Sequence, residues 1–133
     1  MRTKRIRKTR KGEKGQNLVE FALVVPLLLL IVVGIAEFGR AWMTRNIMTG
    51  AAREAVRMFA VKNDNVAASA RAVQILSSAG LDTARATITD NVFGSAVSYT
   101  IDYRFPVVIA GFIPGLGSQE ILLSSTTTMR KEY

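Results

Sequence analysis

The residues of this 133-residue chain leave little room for catalysis, because it contains neither histidine nor cysteine. Imidazole acid–base chemistry, thiol nucleophiles, disulfides and metal sites built on His or Cys are excluded. Asp64, Asp82, Asp90, Asp102, Glu120 and Glu132 are scattered over different segments and imply no close carboxylate pair. Gly111 to Gly117 lacks the Lys-Ser/Thr ending of a phosphate-binding loop. The Ser and Thr run at 124–128 has no histidine or obvious lysine base beside it, and it reads as strand surface. An enzyme is not expected, and no cofactor or metal is assigned.

One acid does stand in a chemically demanding place. Glu20 interrupts an apolar run in which Phe21 to Ala36 carries no charge and is almost all Leu, Val, Ile or Ala. An ionised carboxylate in hydrocarbon is costly unless it finds water, a cation or a proton. Two readings of Glu20 follow: it sits at headgroup level at little cost, or it meets a charge on another chain. Farther along, Glu37 and Arg40 are three apart and can pair on one helix face. Pro26 lies inside the run, where it removes a backbone donor and is expected to kink or locally loosen a helix.

The run must be positioned by something, and its length says what. From Leu18 to Ala36 a helix would span about 28 Å, close to the roughly 30 Å hydrocarbon core of a bilayer. Hydrophobic residues make up 49 % of the chain, so disorder throughout is excluded. A chain this short has no interior large enough to enclose such a rod. A membrane span over residues 16–40 is therefore expected, with the lipid bilayer as its solvent.

Charge gives the orientation. The net charge of +8 is concentrated at one end, with eight basic residues and one acid among residues 1–15. That segment carries +7 and the remaining residues +1. A basic flank favours the cytoplasmic side, which sends residues 41–133 outside, and Trp42 suits the far interface. Nucleic acid is not an expected partner, because residues 1–15 contain no aromatic side chain for stacking. Anionic lipid beside the span accounts for the same charges. A cleavable export signal shares the basic-then-apolar order. However, Gly34 to Trp42 makes a poor Ala-x-Ala site, and the helical pattern runs on through it.

Beyond the span, Ile47, Met48, Ala51, Ala55, Met58 and Phe59 recur at three and four, which predicts an amphipathic continuation of the same helix. Lys62 to Asn65 reads as a break, with Asn63 or Asp64 capping a second helix over about 65–79 and Gly80 ending it. The expected apolar face of that helix is Val66, Ala70, Val73, Ile75 and Leu76. From residue 84 the period changes to two. Ala84, Ala86, Ile88 and Asp90 form one alternating set, and Val97, Tyr99, Ile101, Tyr103 and Phe105 form another. A turn within Asn91–Ser95 separates them, and Pro106 is expected to end the second strand. Val107 to Leu116 is too short and too rich in Gly and Pro for a second span, so it is a buried or an exposed apolar loop. A last strand over 120–129 places Ile121, Leu123 and Ser125 on one face. The fold class is α+β: a long N-terminal transmembrane and amphipathic helix, a second helix, and a small antiparallel sheet of about three strands.

The segment Lys14-Gly15-Gln16-Asn17-Leu18-Val19-Glu20-Phe21 resembles the processing site of type IV prepilin-like proteins, most closely that of TadE-like pseudopilins of the tight-adherence (Flp-type) pilus system. The likeness continues through Pro26, and Glu37-Phe38-Gly39-Arg40 and Ala51 to Arg57 resemble later signatures of that family. The resemblance implies a pilin-like fold and cutting between Gly15 and Gln16 by a prepilin peptidase. Glu20 and Phe21 would then be the assembly residues, with Pro26, Glu37 and Arg40 as helix-interface positions. It further implies other pilins or pseudopilins and an inner-membrane assembly platform as partners, at the bacterial inner membrane. The alternative is a single-span scaffold or binding module that keeps its basic leader.

Overall fold

The computed structural model describes residues 11–112, 115 and 117–131; for residues 11–14 and 112 it describes the backbone alone. The expected leader residues 1–10 lie outside the described set. The chain divides into two compact units, Met1–Ile35 and Ala36–Tyr133.

Helix α1 covers Lys11–Lys62, and Pro26 lies within it without ending it. In the first unit the described side chains from Gly15 to Ile35 are exposed, apart from a half-buried Val25. In the second unit the same helix is amphipathic. Met48, Ala51, Ala52, Ala55, Val56 and Phe59 are buried, and Arg53 and Arg57 face out. Asn63 ends α1: it takes a positive φ of 52°, and its N–H donates to the Phe59 carbonyl at 2.8 Å. Asn is one of the few residues with a side chain that visits this left-handed region readily.

Helix α2 spans Asn65–Ser78. Asp64 caps it from an extended conformation, accepting the Ala67 N–H at 3.0 Å. At its other end Gly80, at φ 77°, donates to the Ser77 carbonyl while Leu81 donates to that of Leu76. These two bonds are the Schellman pattern, and the positive φ is why glycine stands there. The buried face differs from the one expected. Ala68, Ala72 and Leu76 are buried and Ile75 is half-buried, whereas Val66, Ala70 and Val73 are exposed. The residues that pack are spaced by four, and small side chains let a helix approach its neighbours closely. The larger Val residues lie on the opposite side.

The sheet is a meander in the order β1-β2-β3, with β1 at Ala86–Phe93, β2 at Ala96–Val107 and β3 at Gln119–Arg130. Both pairings are antiparallel, in registers that include Ile88 opposite Ile101 and Ile101 opposite Ser125. β1 starts later than expected, because Asp82 caps a short 3₁₀ turn at Thr83–Arg85 by accepting the Ala84 N–H at 3.0 Å. The hairpin turn is also tighter than expected. Phe93 pairs with Ala96, which leaves Gly94 and Ser95 as a two-residue loop with Gly94 at φ 55°. A positive φ at the first loop position matches the twist of a two-residue hairpin and favours glycine. Pro106 does not end β2; it pairs with Glu120, and the strand continues to Val107. β1 begins opposite Tyr103, so no strand lies beside Pro106 on that edge and the missing N–H costs no ladder bond there.

Val97, Tyr99, Ile101, Tyr103 and Phe105, all on one face of β2, are buried with the α1 and α2 residues named above in a single cluster. The sheet's other face mixes hydroxyls with charged residues, among them Arg104, Glu120 and Arg130. Thr87, Thr89, Ser124, Thr126 and Thr128 are exposed there, and Thr100 and Thr126 share a hydrogen bond of 2.9 Å.

Candidate functional site

The candidate residues at the start of α1 are placed by helical spacing. Gly15 and Gln16 are exposed within the helix, and Glu20 lies one turn beyond Gln16 on the same side, with Phe21 exposed beside it. Among the described residues the Glu20 side chain makes no hydrogen bond or ion pair. From Gly15 onward α1 contains an 18-residue window apolar enough to cross a bilayer, and none of that window is buried. Leu18 to Ile35 thus exposes almost nothing but Leu, Val, Ile, Phe and Ala, a surface that water does not tolerate. Its natural solvent is lipid, in which a helix satisfies its own backbone.

Near the start of the second unit, Glu37 and Arg40 pair as their spacing predicts, at 2.8 and 3.0 Å from one guanidinium nitrogen to the two carboxylate oxygens. The Arg40 guanidinium also lies 5.1 Å from the centre of the Phe105 ring. That contact fixes the end of β2 to α1 and carries no local signal in the sequence. Phe38 and Trp42 stack with ring centres 6.2 Å apart. A shallow groove of about 250 Å³ follows, lined among others by Arg40, Met43, Ile47, Leu81 and Phe105.

The remaining polar groups hold the fold together. Thr49 and the buried Ser125 share a hydrogen bond of 2.9 Å that ties α1 to β3. The Tyr99 hydroxyl donates to the Asn65 side chain at the first turn of α2. Burial pushes the Tyr99 phenol up, and the negative charges of Asp90 and Asp64 add to this against the opposing hydrogen bond from Ser69. Glu54 is held below the usual carboxylate range by its hydrogen bonds with Arg57, helped by the charges of Arg57 and Arg71 against some desolvation. Asp64 and Asp82 are spent as caps, and Glu120 pairs with Arg85 at 2.8 Å. Among the described residues no three Asp or Glu side chains come together where they could hold a metal ion.

The molecule is thus an α+β unit carried on a helix suited to lipid. Residues 15–57 match the family model for TadE-like proteins, and over that stretch the chain resembles a TadE-like protein of the Tad/Flp pilus system. No curated protein and no solved structure matches the chain. The matched stretch begins at Gly15 and takes in Glu20, Pro26, Glu37 and Arg40. The likeness points to the pilus system and its components in general, and the apolar helix points to membrane anchoring.

Proposed function

We propose that this chain is a minor pilin or pseudopilin, a structural protein that primes or joins a tight-adherence filament by packing its N-terminal helix with others. A prepilin peptidase cuts between Gly15 and Gln16 on the cytoplasmic side, removing the basic leader that oriented the precursor. The C-terminal unit lies outside the inner membrane. The spacing from Gly15 to Glu20, followed directly by the exposed apolar run, carries this reading. The family match supports its coarser part. Cutting frees an amine at Gln16, and the Glu20 carboxylate, unpaired among the described residues of its own chain, is the charge that a neighbouring subunit's amine would seek. Attraction between unit charges is large where the dielectric is low, so the pair could set register between subunits.

N-terminal sequencing of the protein from native membranes tests the cleavage. Gln16 as the terminus supports it. Met1 as the sole terminus overturns it and leaves the unprocessed single-span scaffold. Replacing Glu20→Gln is expected to abolish incorporation into filaments or assembly complexes while leaving the melting of the C-terminal unit unchanged. Normal assembly by that variant would remove Glu20 from the mechanism.

A further inference from the structure

We propose that the end of the Ala36–Tyr133 unit at which α1 enters it is a second membrane-contact surface, seated in the headgroup layer of the bilayer. The direction of the elements identifies that end. Arg40 meets Phe105, Thr49 meets Ser125, and Lys131 lies over the ring of Phe59. β3 therefore runs the same way as α1 and β2 runs against both. This gathers the end of β2, the 3₁₀ turn at Ile109–Phe112 and the start of β3 beside Arg40. The Gly94–Ser95 hairpin and the break after α1 fall at the opposite end.

Six large apolar side chains crowd the Arg40 end without cover: Phe38, Trp42, Met43, Val108, Ile121 and Leu122. Phe38, Trp42 and Leu123 share one shallow groove there with Arg45, so strand and helix contribute to a common surface. The chain itself names the occupant. The uncharged run ends at Ala36, so the bilayer surface falls within a turn or two of Phe38. Trp42, stacked on Phe38, is a residue type that both membrane interfaces favour. The Val108 turn and the start of β3 then enter the same layer, which gives the exposed Val108, Ile121 and Leu122 a solvent. This inference rests on the membrane-span reading of residues 18–36.

The natural absence of cysteine permits a clean test with single-cysteine variants of the full chain. Val108→Cys, Leu122→Cys, Phe93→Cys and Leu29→Cys are each labelled with an environment-sensitive fluorophore. Each is reconstituted into phosphatidylcholine–phosphatidylglycerol vesicles with or without a lipid quencher placed just below the headgroups. The labels at 108 and 122 are expected to shift to the blue and lose most of their emission to the quencher. The label at Phe93, which is similarly exposed at the opposite end, keeps its emission. Equal behaviour at 93, 108 and 122 overturns the proposal. So does a blue shift at 108 and 122 without lipid quenching, which means cover by a second copy of the chain. A blue-shifted label at Leu29 together with no quenching at 108 and 122 sinks this proposal alone; a water-like emission at Leu29 sinks the span reading and this proposal with it.

Discussion

Residues 16–35 and residues 36–62 belong to one helix, yet they solve opposite problems. The first stretch is apolar on every side and buries almost nothing. The second alternates buried Met, Ala, Val and Phe with exposed Arg, and its buried stripe is half of a packed core. Backbone geometry is shared, so side-chain pattern alone decides which solvent each stretch accepts. An all-round apolar helix asks for an external medium, whereas a striped one asks for a sheet.

Substitutions can break this contrast from either side. Phe59→Ala removes a buried ring from the striped stretch and is expected to cost about 3–5 kcal/mol of unfolding free energy. The same change at the exposed Phe21 should leave stability untouched. Denaturant titration in detergent, followed through the single tryptophan, Trp42, measures both. Equal losses at the two sites would refute the division of the helix. The reverse experiment is Leu29→Arg, expected to cost about 3 kcal/mol of membrane insertion. Alkaline extraction should release the variant while the C-terminal unit melts as before. A smaller effect tests the core's dependence on the second helix: Asp64→Ala removes the cap of α2 and is expected to cost about 1 kcal/mol, read in the same titration. The smallest effect at neutral pH comes from Tyr99. Its folded-state pKa is raised by burial, so the unfolded chain releases this proton first. Stability from this group is complete below about pH 10 and falls as pH rises from there through the higher folded value. Tyr99→Phe should flatten that alkaline decline in a series of melts.

Much of this architecture was legible in the residues. The apolar run, the change of period after residue 84 and the Asp64 and Gly80 signals each rest on local chemistry, and each marks an element observed here. The strand face from Val97 to Phe105 was readable because alternation is a property of the strand alone. The face of α2 was not. Alanines at 68 and 72 carry little hydrophobic signal, and they pack because a neighbour comes close, which no local pattern records. Pro106 misled for a similar reason, since its tolerance depends on where β1 happens to start. At the candidate site, the Glu37–Arg40 pair followed from spacing. The contacts of Arg40 with Phe105, Thr49 with Ser125 and Tyr99 with Asn65 join residues far apart in the chain and had no such signal.

The uncovered face of the sheet carries a last consequence. Threonine and serine hydroxyls share it with Asp102, Arg104, Glu120 and Arg130, and the hydroxyls themselves neither titrate in the ordinary range nor gather a counterion cloud. The hydroxyl cluster around Thr100 and Thr126 should therefore keep its hydration nearly constant between dilute and concentrated salt, whereas Arg104 and Arg130 on the same face respond to it.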